Sequence, residues 1–227
     1  MSMLRVEDKY VIPKNDFYEL HERVSAILEP DIYSAEGGYS ISSLYFDDIS
    51  DTDYFNTVMG NPCRRKHRIR IYNNSLDLIK LEVKEKSYNR IEKATCTITQ
   101  SQLSELQRGN MIEWGESKTD PRSLFNEAIA GRHLTPKVIV NYTRSAFVYE
   151  PGNTRITFDS NIRASDDIES FGAGDAAYDY PDGESYVLEV KYDEFIPGFI
   201  LQALETDSMW QTSYSKYRVC RDIYIRG

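Results

Sequence analysis

The sequence predicts an α+β protein built on antiparallel strands, arranged as a barrel or a sandwich. Three observations point there. Segment after segment alternates apolar and polar residues at period two. Tight-turn residues join several of these segments into hairpins. Amphipathic stretches with helical spacing are fewer and fall between or after the strands.

The elements follow in order. Leu4–Ile12 alternates and is expected as the first strand. Asn15–Leu28 places Phe17, Leu20, Val24, Ile27 and Leu28 at helical spacing. Strands are expected at Ser40–Asp47, Lys66–Tyr72, Leu76–Lys86 and Arg90–Ile98. In "YNNSLDL", Asn73 and Asn74 tolerate positive φ and predict a hairpin. Ser101 is expected to cap a helix over Ser101–Arg108. Asp120 caps, and Pro121 opens, a helix over Pro121–Ala130. Val138–Tyr149 and Arg155–Ile162 read as strands joined by the turn "EPGNTR". Ser185–Tyr192 is the last strand expected, followed by helices over Pro197–Thr206 and Ser215–Ile223. The acidic "FDDISDTDYF" predicts a turn with Asp48 or Ser50 as a helix cap rather than a cation site. "DAAYDYPDGES" (Asp175–Ser185) reads as a loop.

The chain has 227 residues, 41% of them hydrophobic, which suits one domain with a real core. Its net charge of −9 argues against a general nucleic-acid binder. Any basic cluster is therefore local, and can draw one anion to one place. Cys63, Cys96 and Cys220 show neither zinc spacing nor a disulfide framework, so a reduced, cytoplasmic setting is expected. No apolar leader opens the chain and no apolar run approaches a membrane span. His21, His67 and His133 lack ligand spacing and read as surface or structural residues. Tyr10, Tyr45, Tyr72, Tyr142 and Tyr217 read as packed rings with hydrogen-bonded hydroxyls. "FGAGD" lacks the lysine and helix of a phosphate loop.

One pattern recurs. In "RRKHRIRIY", Lys66, Arg68 and Arg70 share one face, with Ile69 and Ile71 on the other. Arg5, Glu7 and Lys9 share a face in "RVEDKY", and Glu82, Lys84 and Lys86 in "LEVKEK". Lys93, Thr95 and Thr97 oppose Ala94, Cys96 and Ile98. Tyr142 and Arg144 share a face, as do Arg155, Thr157, Asp159 and Asn161, and Glu189 and Lys191. A solvated face explains any single strand. Repeated cations with one acid beside them suggest instead the lining of a closed barrel, whose like charges demand a polyanion. Arginine suits bidentate grip on phosphate.

Eight motifs in order carry a family resemblance: "RVEDKYVI", "SSLYFDD", "RRKHRIRIY", "LEVKEK", "PKVIVNYTRSAF", "RITFD", "LEVKY" and "SYSKYRV". Together they resemble the VTC domain, the polyphosphate polymerase module of the triphosphate tunnel metalloenzyme superfamily. The resemblance implies a closed eight-stranded antiparallel tunnel, with helices packed around the outside, spanning residues 1–227 as a single domain. It implies transfer of the γ-phosphoryl of ATP to inorganic polyphosphate, with Mn2+ or Mg2+ as cofactor. By matching positions, it implies phosphate contacts from Lys9, Arg68, Arg70, Lys84, Arg144, Arg155 and Lys216, with Lys66, Lys93 and Lys191 as further members. Ser215 would donate to a phosphate, and Glu189 would bind the metal.

Within the superfamily, hydrolases begin with an ExExK strand, and here Arg5 replaces the first acid. More cation and less carboxylate favours holding a phosphate chain over activating water. Polymerase is therefore preferred to a tripolyphosphate or nucleotide hydrolase. A non-catalytic binding module is disfavoured because every matched position is filled. An RNA-binding barrel would need stacking aromatics among the cations. Glu7 and Glu82 read first as partners orienting their cations, with metal ligation as the alternative. Eukaryotic relatives add an SPX domain and membrane helices; neither is read here, so a stand-alone bacterial-type version is expected, with room for partner proteins in other chains.

Overall fold

The computed structural model describes residues 6–34, 37–88, 90–174, 176–181, 185–206 and 208–225. Leu4 and Arg5 of the first expected strand, and Asp175 and 182–184 of the expected loop, lie outside them. The elements run β1 (Val6–Ile12), α1 (Lys14–Ser25), β2 (Glu29–Pro30), β3 (Tyr39–Asp47), α2 (Thr52–Val58), β4 (Cys63–Tyr72), β5 (Ser75–Ser87) and β6 (Arg90–Ile98). They continue α3 (Gln100–Gln107), α4 (Pro121–Arg132), β7 (Thr135–Tyr149), β8 (Thr154–Ser165), β9 (Tyr186–Tyr192), α5 (Gly198–Ala203), β10 (Trp210–Gln211) and α6 (Lys216–Ile225).

The strands form one sheet in the order β10-β1-β9-β8-β7-β3-β4-β5-β6, with β2 on β7. Among the described residues the sheet has ten strands, two of them very short, so the expected eight roughly fit; the expected closure does not, because the pairing is open, with β10 and β6 as its ends. The physical reason lies at β1, whose second edge pairs with β10 through Tyr10–Gln211 and Val11–Trp210. The two added strands are two residues long, too short to show any alternation.

The chain divides into two compact units, with β3, β7 and β8 contributing residues to both. In the first, β1 and β9 pair in register from Val6–Tyr192 to Ile12–Tyr186, and β8 pairs with β9 from Arg155–Lys191 to Asp159–Val187. Their apolar face buries Ile12, Ile156, Phe158, Leu188 and Val190 against Phe17, Leu20 and Val24 of α1 and Ile200 of α5. At about 25 cal/mol per Å2 of apolar surface, each fully covered side chain stabilises by roughly 2 kcal/mol. His21 of α1 packs on Phe17 and reaches the Ser145 hydroxyl at 2.9 Å, a structural role.

In the second unit, Leu44, Phe46, Ile69, Ile71, Ile79, Leu81, Val83 and Ile98 bury one face of β3–β6 against Leu103 and Leu106 of α3 and Phe125 and Ile129 of α4. The α3 cap is Thr99, not Ser101: its hydroxyl accepts from the Gln102 amide while the Gln102 side chain accepts from the Thr99 amide. Asp120 caps α4 as expected, accepting from the Arg122 amide. Asn73 and Asn74 take φ of 50° and 52° in the β4–β5 hairpin.

In the acidic stretch, Asp48 Oδ1 accepts from the Ser50 and Thr52 amides, forming the expected turn, but the residue that caps α2 is Asp51, in the left-handed region, and not the expected Asp48 or Ser50. Asp47 is fully buried and accepts from the amides of Asp48, Asp53 and Tyr54 and from the Tyr217 hydroxyl at 2.6 Å. His67 is buried beside Asp53, at 3.2 Å, which also takes both ends of the Arg132 guanidinium. Among the described residues no helix is long and apolar enough to cross a membrane.

Candidate functional site: two cation-rich sheet faces

Opposite the apolar face of the second unit lies a face built row by row. Lys66, Lys84 and Lys93 are successive Cα partners across β4, β5 and β6. The next row is Tyr45, Arg68, Glu82 and Thr95, and the next Ser43, Arg70, Lys80 and Thr97. Residues opposite one another in an antiparallel pair share a face, so like charges in a row repel. These rows hold six cations and one carboxylate.

That carboxylate is Glu82, 3% exposed. Arg68 Nε donates to its Oε2 at 2.6 Å, and Lys93 pairs with its Oε1. Burial would raise the Glu82 pKa, but Arg68, Arg70 and Lys93 pull it down to about 2. Arg68 is held from a second side by the Tyr45 hydroxyl at 2.9 Å. The Tyr45 ring stacks on Tyr217 at 4.9 Å, and Tyr217 is anchored on Asp47. Arg70 Nε reaches the Ser43 hydroxyl at 3.4 Å. At the start of α6, Ser215 Oγ accepts from Lys66 Nζ at 2.7 Å and from the Arg218 amide at 3.3 Å, so it caps the helix whose first residue is Lys216.

The first unit carries a face of related composition. Thr157, Glu189 and Lys9 form one row across β8, β9 and β1, and Arg155, Lys191 and Glu7 form the next. Glu189 is buried; Lys9 lies 3.4 Å from its Oε1, and Lys191 3.1 Å from its Oε2. Burial would raise the Glu189 pKa, but Lys9, Lys191 and Arg144 drive it well below the usual carboxylate range. Lys9 is raised in return: burial would lower it, and Glu189 and Glu7 more than offset that. Arg144 grips fully buried Asp159 with both arms, at 2.7 and 2.8 Å, over the Tyr142 ring. Gly38, at φ 112°, passes so close that a Cβ would lie 2.7 Å from the Arg144 carbonyl oxygen. Arg155 turns its guanidinium to Asp31 at 2.5 Å.

The predicted residues thus fall into two sets. Lys66, Arg68, Arg70, Lys84, Lys93 and Glu82 share the second unit's face, with Ser215 bonded to Lys66. Lys9, Glu7, Glu189, Lys191 and Arg155 share rows in the first unit, and Arg144 joins them through Glu189 Oε2 at 3.8 Å. Glu7 and Glu82 both pair with cations. Three contributors, Lys80, Ser43 and Asp31, escaped the sequence reading, and Tyr45 was read as a ring with a bonded hydroxyl but not as a partner of Arg68. Lys80 stands two residues before Glu82, where the same alternation would have found it. Ser43, Tyr45 and Asp31 act through hydrogen bonds that only the fold brings together.

A divalent cation prefers hard oxygen donors. Glu189 and Glu7 share the ammonium groups of Lys9 and Lys191, and the Thr157 hydroxyl in the Glu189 row is buried without a hydrogen-bond partner among the described residues. These donors fit one such cation. No cluster of three His, Cys, Asp or Glu side chains forms a metal cage among the described residues.

The two faces gather cations around the buried carboxylates Glu82 and Glu189. The VTC domain model matches residues 4–224, and the chain belongs to that family. No curated protein matches the chain in sequence. Among solved structures, a Bacillus halodurans protein described as a candidate adenylate cyclase is similar with TM-score 0.53 at 14% identity, covering 83% of this chain and 80% of its own. A Pyrococcus horikoshii protein gives TM-score 0.46 at 15% identity, covering 92% and 95%. The Mimivirus capping enzyme triphosphatase gives 0.39 at 13%, covering 88% and 85%. The fold is shared with the Bacillus halodurans protein.

Proposed function

We propose that this chain is a polyphosphate polymerase, moving the γ-phosphoryl of ATP onto a growing inorganic polyphosphate chain. The observation that carries the reading is the row Lys66–Lys84–Lys93, three lysines side by side with Arg68 and Arg70 in the rows behind them. Such a face is costly without an anion and suits a chain of phosphates.

The terminal polyphosphate oxygen attacks the γ-phosphorus, the bond to the β-phosphate oxygen breaks, and ADP leaves. The nucleophile is already anionic, so no strong base is needed. Lys66, Arg68, Arg70, Lys84, Lys93 and Lys216 clamp phosphates that do not react, with Ser215 as a neutral donor. On the first unit's own face, Lys9, Arg144, Arg155 and Lys191 neutralise phosphate charge. Glu189, with Glu7 beside it, would hold Mn2+ or Mg2+, which when bound would supply neutralisation of phosphate charge. The reading takes residues 1–227 as one domain acting in the cytoplasm.

Hydrolysis would need a carboxylate left to orient water. Glu82 is bound by Arg68 and Lys93 and Asp159 by Arg144, and Glu189 is assigned to the metal, which favours transfer. The test is incubation with ATP and Mn2+, with products resolved on a gel stained for polyphosphate. Chain growth with ADP release supports the polymerase. Free phosphate alone, especially from tripolyphosphate, supports the hydrolase. Binding without turnover supports the non-catalytic module. Glu189→Ala should abolish either reaction.

A further inference from the structure

Thr157 poses a question the proposed chemistry does not answer. It is 1% exposed, and its Oγ1 meets no hydrogen-bond partner among the described residues. A buried hydroxyl without a partner is unfavourable, and valine, of nearly the same shape, would avoid the loss. The position is not peripheral. Thr157 pairs with Glu189, which pairs in turn with Lys9, and alternation puts all three side chains on one face.

The surroundings decide what the oxygen is for. Cationic donors to phosphate are already plentiful here, in Lys9, Lys191, Arg155 and Arg144. Oxygen donors to a cation are scarce: Asp159 is engaged by both arms of Arg144, and Glu189 and Glu7, which carry the metal assignment, already share Lys9 and Lys191. A neutral hydroxyl adds an oxygen without adding charge.

We infer that Thr157 is a positioning residue for the divalent cation at Glu189, its hydroxyl holding one water of the cation's shell. The inference rests on the metal assignment made under the proposed function, and not on whether the enzyme polymerises or hydrolyses.

The test is Mn2+ binding to the metal-free protein, followed by electron paramagnetic resonance without nucleotide, alongside thermal melts. Thr157→Val should weaken Mn2+ binding about tenfold or more. The same change should raise the Tm of the metal-free protein by about 2–4 °C, since the unpartnered hydroxyl is gone. Thr157→Ser should bring Mn2+ affinity back close to that of the parent. Unchanged Mn2+ affinity in Thr157→Val overturns the inference. So does a loss of tripolyphosphate affinity in EDTA with Mn2+ binding intact, which would make the hydroxyl a phosphate donor. If Glu189→Gln binds Mn2+ like the parent, the metal assignment itself fails and takes this inference with it.

Discussion

Arg68 and Glu82 face each other across β4 and β5, with the guanidinium Nε 2.6 Å from the buried carboxylate. The pair gives the protein an acid limit. Glu82 titrates at about 2 in the folded chain against an ordinary 4.5. A depressed carboxylate stabilises above its unfolded pKa and loses that stabilisation as pH falls toward its folded pKa. Between about pH 4.5 and 2 this group alone should remove about 3 kcal/mol. Glu82→Gln should flatten that part of the stability profile, measured by urea unfolding at stepped pH. Parallel profiles for the two proteins would show that the pair carries no such linkage.

Relieving the lysine row should separate stability from binding. Lys84 sits between Lys66 and Lys93, and Lys84→Met removes the central charge. The ligand-free protein should gain roughly 0.5–1 kcal/mol, while tripolyphosphate binds about tenfold more weakly. Melts with and without tripolyphosphate read both effects. A variant that loses stability and keeps its affinity would contradict the account of this face.

Arg144 should not tolerate lysine. Its two arms hold Asp159 while the guanidinium lies over Tyr142, and an ammonium cannot reproduce that fork. Arg144→Lys should cost about 2–3 kcal/mol of stability, because Asp159 is left poorly paired in the core. Chemical denaturation measures it, and a loss below the error of the method would show the fork to be dispensable.

Two tyrosines should fail differently. Tyr45→Phe removes the hydroxyl that steadies Arg68 and should weaken tripolyphosphate binding several-fold with little change in Tm. Tyr217→Phe removes a donor to buried Asp47 and should cost about 1–2 kcal/mol. Calorimetric titration and melts on the two variants check the division, and matching losses in both would collapse it.

The alternation in "RRKHRIRIY" made the charged face legible from sequence: Lys66, Arg68 and Arg70 fall on one side and Ile69 and Ile71 in the core. Tyr45 and Tyr217 were legible as rings with bonded hydroxyls, though not as supports for Arg68, because their partners lie far away in the chain. Asn161 departs from the expected alternation. It takes φ 51° and turns outward to solvent, a local backbone choice that periodicity does not encode. Helix α1 stops at Ser25, short of the expected Leu28, yet Leu28 still joins the core, so burial and helicity part company at that end. Strand β10 is invisible to pattern reading because it exists through pairing with β1 alone.

The imbalance of six cations around one carboxylate also bears on the resting protein. Freshly purified material is expected to carry whatever small anion its buffer supplies, so substrate arrival is an exchange and not a filling. Apparent affinities will then shift with the choice of counter-ion at constant ionic strength, with sulfate or phosphate competing where chloride does not. Assays that change buffer between nucleotides would compare the buffers as much as the ligands.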